Sequence, residues 1–248
     1  MNIAIIGYGQ MGKIIEAIAL ERGHKISTTV DPVNKAAKYR KIDHSSLWNT
    51  DVCIDFTNPE TVLTNVKAMA KEKKNIVLGT TGWHKHFDQI KQLVQQNNTG
   101  FIYAANFSLG MNIFYQIIKH AASMFNQFEN YDVAGIELHH NKKADSPSGT
   151  AKTLAEIVLH NIKRKEKVTY ELVNRKIDPR ELHFASVRCG SIPGTHKIIF
   201  DSAADSIELT HTARSRQGLA LGAVLAAEWI QDKKGFYSID DMMKDKLG

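Results

Sequence analysis

Residues 2–12 read Asn2-Ile3-Ala4-Ile5-Ile6-Gly7-Tyr8-Gly9-Gln10-Met11-Gly12. The run ending at Ile6 is too short for a helix and rich in isoleucine, which predicts a parallel strand buried on both faces. From Met11 onward apolar residues recur as Met11, Ile14, Ile15, Ile18 and Ala19, the spacing of one helical face, and Gly23 closes the segment. The order strand, glycine turn, helix gives each glycine a physical task. Gly7 permits the tight turn, Gly9 lets a pyrophosphate approach the backbone, Gly12 lets helix and strand pack closely, and the helix N-terminus offers unpaired amides. Asp31, at the end of the next strand-like run, is a carboxylate that can accept the ribose hydroxyls of an adenosine. A flexible turn is the alternative reading, and it leaves Asp31 without a task. The predicted dinucleotide contacts are therefore Gly7, Tyr8, Gly9, Gln10, Met11, Gly12 and Asp31. Asp31 favours NAD over NADP because a 2′-phosphate beside a carboxylate is repelled, whereas Lys35 and Lys38 offer charge to offset it.

Outward from this stretch, Ile26 to Val30, Val52 to Phe56, Ile76 to Gly79 and Phe101 to Ala104 repeat the strand signature. Helical patterns around Glu60 to Lys73 and Phe87 to Val94 separate them, and the alternation predicts a parallel sheet with helices on both faces. Ligands in such sheets bind outside the carboxyl ends of the strands. Gly79-Thr80-Thr81-Gly82 and Ala104-Ala105-Asn106-Phe107 are therefore expected to border the cofactor. After Asn106 the pattern changes to a long helix, Leu109 to Phe125, a strand, Val133 to Leu138, and a polar loop up to Gly149. Leu182 to Cys189, Lys197 to Asp201 and Ser206 to Thr212 follow as strands without intervening helices, the mark of a mixed or antiparallel sheet. The last apolar helical pattern, Leu219 to Ile230, is expected to return to the first domain. The predicted fold is α/β: a Rossmann-like parallel sheet over residues 1–107 completed by 217–248, and an α+β domain with a mixed sheet over 108–216.

A chain of 248 residues with 43% hydrophobic and 23% charged residues can bury a sizeable core, which excludes a disordered tail or a disulfide mini-scaffold. No apolar run approaches the roughly 20 residues of a membrane-spanning helix, and the N-terminus lacks a basic leader. A soluble, cytoplasmic protein is expected. Cys53 and Cys189 are expected as buried free thiols in strand-like contexts. The net charge of +6 admits nucleic acid, a membrane surface or small anions as partners. The dense basic stretches, Lys71 to Lys74 and Lys163 to Lys167, each include a glutamate and fall where amphipathic segments end, so they read as solvated helix ends. Without a zinc-finger, basic-zipper or aromatic RNA-binding motif, neither nucleic acid nor membrane is expected as a partner.

Chemistry-bearing residues are densest in Glu137-Leu138-His139-His140-Asn141-Lys142-Lys143-Ala144-Asp145-Ser146-Pro147-Ser148-Gly149-Thr150. Ser148, Gly149 and Thr150 resemble a helix N-terminus whose amides and hydroxyls can bind a carboxylate, and Lys143 adds a full positive charge. His139 and His140 fall at a strand end, where an imidazole titrating near neutrality can act as general acid. Adjacent histidines on a strand point to opposite faces, so no metal site is expected. A capped helix behind a solvated basic loop is the competing reading. Further on, Gly190 and Pro193-Gly194 read as a tight connection, His196 and His211 as structural or interface histidines, and Arg214 and Arg216 as ligand contacts or as the crossing back to the first domain.

These residues together resemble the 4-hydroxy-tetrahydrodipicolinate reductase (dihydrodipicolinate reductase) family of lysine and diaminopimelate synthesis. The likeness rests on Gly7 to Gly12, Asp55-Phe56-Thr57, Gly79 to Gly82, Ala104 to Ser108 and, most specifically, the string from Glu137 to Ala151. The resemblance implies NADH or NADPH as cofactor, held by Gly7 to Gly12, Gly79 to Thr81 and Ala104 to Phe107. It implies His139 as proton donor and Lys143 as second acid and carboxylate partner. His140, Ser148, Gly149 and Thr150 would be ligands of a cyclic dicarboxylate substrate. It further implies a homotetramer formed through the substrate-domain sheet. Pro32 stands where some members carry an arginine after the acidic residue, and the glycine turn lacks an extra glycine found in some members.

Overall fold

The structure is a computed structural model that describes residues 1–247. In chain order its first elements are β1 (Asn2–Ile6), α1 (Gln10–Glu21), β2 (Lys25–Val30), α2 (His44–Leu47), β3 (Val52–Asp55), α3 (Val62–Lys71), β4 (Asn75–Leu78), α4 (Phe87–Asn97) and β5 (Gly100–Tyr103). Then come α5 (Leu109–Phe125), β6 (Asp132–His139), α6 (Gly149–Asn161), β7 (Lys167–Thr169), β8 (Glu181–Arg188), β9 (Thr195–Asp201) and β10 (Ser206–Thr212). The last are α7 (Gln217–Ile230), β11 (Gly235–Ser238) and α8 (Ile239–Leu247). Two compact units result, one of Met1–Asn112 with the chain from Arg216 onward, the other of Ile113–Ser215.

The first unit is the expected α/β layer structure around a six-stranded sheet, order β11-β5-β4-β3-β1-β2, with every pairing parallel. Successive strand residues point to opposite faces, and the core divides accordingly. Ile3, Ile5, Val52 and Ile54 pack with Ile15 and Ala19 of α1, Ala220 to Ile230 of α7, and Met242 and Met243 of α8. Ala4, Ile6, Cys53 and Ile76 pack on the other side with Val62, Val66 and Met69 of α3 and Ile90 and Val94 of α4. Strands buried on both faces account for the near-continuous apolar runs in the sequence. β1 lies between β2 and β3, so connections leave it in both directions, and the crevice at the carboxyl ends of β1 and β3 is the topological switch point.

The C-terminal segment contributes more than the anticipated helix, since β11 joins the sheet beside β5 and α8 follows it. Buried Asn75 fixes this return. Its Nδ2 donates to the carbonyls of Ile230 and Gln231 at 2.7 Å, and its Oδ1 accepts the Gly100 amide at 2.7 Å.

The second unit holds a mixed five-stranded sheet, order β10-β9-β6-β8-β7, in which β6, β7 and β8 run parallel and β9 runs antiparallel to β6 and β10. α6 packs on β6, β7 and β8. A Cβ on Gly135 of β6 would meet the Phe184 ring at 2.4 Å, so only glycine lets that ring lie across the strand. Along β6 the residues Val133, Gly135, Glu137 and His139 are buried, while Ala134, Ile136 and Leu138 on the opposite face are half-buried. Of the cysteines, Cys53 is buried in the first sheet as expected, but Cys189 is exposed, because the chain turns out of β8 immediately before it.

Candidate active site

In the first unit the glycine turn does what its spacing demands. Gly7 has φ +88°, and a Cβ there would stand 2.4 Å from the Phe56 carbonyl oxygen. A Cβ on Gly12 would stand 2.4 Å from the Gly7 carbonyl oxygen, so α1 touches the turn only because that position is bare. At Gly9, by contrast, a Cβ would meet nothing within 4 Å. Gly9 caps α1 without a side-chain hydrogen bond, leaving the first amides of the helix open to an anion. A cavity of about 460 Å³ here is lined by Gly9 to Gly12, Phe56, Thr57, Pro59 and Gly79 to Thr81.

Asp55, fully buried, organises the far wall of this cavity. Its carboxylate accepts the Thr57 amide at 3.0 Å, the Thr57 hydroxyl at 2.7 Å, the Asn65 amide group at 3.0 Å and the Thr80 hydroxyl at 3.2 Å, which joins the two loops. Burial nevertheless raises its carboxyl above the ordinary range, against those hydrogen bonds. In the 104–107 loop Phe107 is in the core rather than on the surface, and Gly222 of α7 lies so close that a Cβ would meet the Phe107 carbonyl oxygen at 1.7 Å. Arg216, left unassigned by the sequence, caps α7 and donates from Nη1 to Gln10 Oε1 at 2.5 Å, which brings a guanidinium beside the glycine turn. Asp31 accepts the Tyr8 amide at 2.9 Å on Oδ2 and the Val33 and Asn34 amides at 2.9 and 2.8 Å on Oδ1. The open turn, the free helix end and the lined cavity fit a dinucleotide, and the amides of Gly7 to Gly12 are the groups that could hold its diphosphate.

In the second unit the decisive residue is Glu137, which the sequence reading left without a role. Its side chain is completely buried on β6, opposite Ser186 of β8 and His196 of β9 in the strand registers. Oε1 accepts the Ser148 amide at 3.0 Å, the Ser186 hydroxyl at 2.8 Å and Arg188 Nη2 at 3.0 Å. Oε2 faces His139 Nδ1 at 3.2 Å and His196 Nε2 at 3.6 Å. Burial opposes ionisation here, but the donors from His196, Ser148 and Ser186 outweigh it and hold the carboxyl well below its ordinary range. Three ligand atoms of Glu137, His139 and His196 lie within 4.8 Å of one another, a spacing that would admit a cation. The Arg188 guanidinium, 3.0 Å from Oε1 of the same carboxylate, offsets its charge.

His139 ends β6 with its side chain 9% exposed. Burial, reinforced by the His196, Lys143 and Arg188 charges and opposed by Glu137, lowers its imidazole from 6.5 to about 4. Its Nε2 points along Gly194, where φ is +152° and a Cβ would come within 3.0 Å of that nitrogen. Ser148 caps α6 through its hydroxyl, which accepts the Ala151 amide at 3.1 Å, while its own amide is held by Glu137. The amides of Gly149 and Thr150 that follow have no partner within the helix. Lys143 Nζ binds Asp145 Oδ1 at 2.6 Å. His140 is half-buried, and its carbonyl accepts the Lys143 amide at 3.1 Å.

Two family models match the sequence: Dihydrodipicolinate reductase, N-terminus, over residues 1–107, and Dihydrodipicolinate reductase, C-terminus, over residues 110–243. The chain belongs to the dihydrodipicolinate reductase family. It is 39% identical over 247 residues to the 4-hydroxy-tetrahydrodipicolinate reductase of Christiangramia forsetii, covering 99% of this chain and 98% of that one. The corresponding protein of Archaeoglobus fulgidus is 36% identical over 98% of this chain and 100% of its own. A dipicolinate-bound dihydrodipicolinate reductase from Paenisporosarcina shares the fold, with TM-score 0.79 at 22% identity over 97% of this chain and 98% of that one. The family is one of nicotinamide-dependent oxidoreductases. Against that background the surprise is His196. The sequence reading offered it structural or interface roles, and in the structure it shares the Glu137 carboxylate with His139, their ring centroids 5.2 Å apart. Only its register against Glu137 across β9 and β6 could have revealed this, and register is invisible before strand order is known.

Proposed function

We propose that this chain reduces 4-hydroxy-tetrahydrodipicolinate to tetrahydrodipicolinate, with loss of the 4-hydroxyl as water, in lysine and diaminopimelate synthesis. The observation that carries this reading is the buried Glu137 carboxylate, which holds both His139 and the Ser148 amide at the start of α6, in a chain of this family. The nicotinamide, when bound, supplies a hydride to ring C4. The electrons displaced toward the ring nitrogen must then be met by a proton nearby, and His139 is the donor. Lys143 exchanges its Asp145 partner for a substrate carboxylate and stabilises the developing charge. Ser148, Gly149 and Thr150 take the other carboxylate with the free amides of α6 and the Thr150 hydroxyl, and His140 completes the contacts.

The two carboxylates of the substrate bear on the proton donor directly. A histidine lowered to about 4 is neutral at neutral pH. Two negative charges brought beside it favour the imidazolium, so the donor is charged by the substrate it serves. We assign the cofactor contacts to Gly7 to Gly12, Asp31, Gly79 to Thr81 and Ala104 to Phe107. The homotetramer implied by the family would bury the face of the second sheet that bears Ile136, Leu138 and the 43% exposed Val187; light scattering reads its mass directly. The reaction is tested by supplying freshly generated substrate and following loss of the reduced nicotinamide absorbance. Turnover that pyridine-2,6-dicarboxylate inhibits competitively is expected. Oxidation of the cofactor only with some other amino-acid-derived imine would overturn the assignment.

A further inference from the structure

The second oxygen of Glu137 and the whole of His196 serve neither the carboxylate contacts nor the proton donation directly, and both lie in one rung of the second sheet. In the strand registers Glu137 of β6 is opposite His196 of β9, which is opposite His211 of β10. Glu137 Oε1 holds three donors, from Ser148, Ser186 and Arg188. Among the described residues Oε2 accepts no hydrogen bond, and it faces His139 Nδ1 at 3.2 Å, a buried nitrogen equally without one. His196, its side chain 6% exposed, brings Nε2 to 3.6 Å from the same Oε2 and to 3.3 Å from the Ser148 hydroxyl oxygen.

A neutral imidazole carries one proton, and the nitrogen that bears it leaves the other free to receive the next. Burial keeps His139 neutral at neutral pH. An ionised carboxylate only accepts, so a protonated Nδ1 meets Oε2 as a donor, whereas a bare Nδ1 would set one buried lone pair against another. The proton therefore belongs on Nδ1. Nε2, on the far edge of the ring, lies beside Gly194, where no side chain covers it. The proton that substrate binding draws in then enters at Nε2 and leaves from Nε2, while Nδ1 keeps its own throughout. Arg188 on Oε1 and His196 on Oε2 grip the carboxylate from both strands that flank β6. The other titratable groups facing these three residues are His211 of β10, Lys143 with its partner Asp145 in the loop after β6, and Tyr170 after β7, and none of them bonds Oε2 or Nδ1.

We propose that Glu137 and His196 are positioning residues of the reaction: the carboxylate fixes the His139 tautomer that carries its proton on Nδ1, and His196 holds the carboxylate in place to do so. On the reading of His139 as proton donor, on which this rests, Nε2 is the atom the proton leaves. Both residues act through His139. A buried carboxylate behind an imidazole sets tautomer and orientation in the same way for catalytic histidines on unrelated folds.

The test is ring-nitrogen NMR of the unaltered, ligand-free protein at neutral pH with isotope-labelled histidine, the His139 signals being those missing from His139→Gln. A protonated Nδ1 and a bare Nε2 are expected; the opposite tautomer would overturn the proposal without any further variant having to fold. In turnover, Glu137→Gln should lower kcat by roughly 10²-fold or more with dinucleotide affinity kept. Loss of a negative charge beside the donor disfavours the imidazolium, so the pH at which kcat falls away on the alkaline side should move lower. His196→Leu should leave His139 in a mixture of tautomers with a reduced kcat, and His196→Gln, which keeps a donor toward Oε2, should recover the single tautomer and most of the rate. A loss of kcat with tautomer and alkaline limb both unmoved would reduce Glu137 and His196 to structural parts and overturn the assignment. Full activity in Glu137→Gln and His196→Leu beside an inactive His139→Gln would sink the positioning roles alone. Normal turnover in His139→Gln would remove the proton donor, and the positioning roles with it.

Discussion

At the scale of single residues, the arrangement around His139 makes the proton donor dependent on its neighbours. Burial drives the imidazole toward the neutral form, and the Glu137 carboxylate is the one charge in the cluster that opposes it. Binding of a dianionic ligand at neutral pH should therefore take up a proton, read as a dependence of the binding heat on the ionisation enthalpy of the buffer. His139→Gln should abolish the uptake and lower kcat by roughly 10²-fold or more, the usual range for a general acid, with little change in dinucleotide affinity. Unchanged turnover in that variant would remove His139 from the chemistry. The conspicuous residue types of this site were legible in the sequence: His139, Lys143, Ser148 and Thr150 stand in one short string. Glu137 was in the same string and was passed over, because an acidic residue on a strand announces nothing until its neighbours across the sheet are known. Ser186, Arg188 and His196 reach it from two other strands, about 50 to 60 positions away in sequence.

At the scale of elements, the strands of the first sheet were readable because each buries both faces and so shows an unbroken apolar run. The elements that escaped are those with too little of that signal. β11 is four residues at a sheet edge, half-buried throughout, and β7 is three residues. α2 is a single turn held by the Asp43 and Ser46 capping box. α8 did carry a pattern, Ile239, Met242 and Met243 buried on one face, in a segment otherwise dominated by charge. The turn between β8 and β9 gives a prediction of its own. Gly194 adopts φ +152° beside the His139 ring, so Gly194→Ala adds both backbone strain and a methyl group 3.0 Å from Nε2. The variant should lose on the order of 1–3 kcal/mol of stability. Its dicarboxylate affinity should fall while dinucleotide binding is kept, since the strain is confined to the second unit. A variant that binds dicarboxylate normally would show that the imidazole tolerates displacement.

At the scale of the whole molecule, the direction of the perturbed ionisations sets a pH window for the fold. His139 and His211 are both held below their ordinary value of 6.5, chiefly by burial. A histidine whose folded value is depressed leaves the unfolded chain binding more protons once the pH falls below about 6.5, so stability declines from there toward about 4. Carboxylates continue the decline. Glu137 is held down by its donors against the opposing effect of burial, and Glu228 first by Arg22, so each contributes stability that is lost as acid protonates it below its ordinary 4.5. At the other end burial raises the Cys53 thiol, so the unfolded chain ionises first and stability falls as the pH climbs past 9.0. Asp55, raised by burial, works against the carboxylate trend, and as one group against several it does not reverse it. Urea unfolding without ligand should therefore show a plateau near neutrality and a midpoint that drops between about pH 6.5 and 4, with an unchanged slope against urea. His139→Gln should flatten the upper part of that acid limb and leave the part below 4.5 in place. A midpoint constant down to about pH 5 in the unaltered protein would mean that the buried imidazoles take up protons without cost, and the charge-by-substrate account of His139 would fail with it.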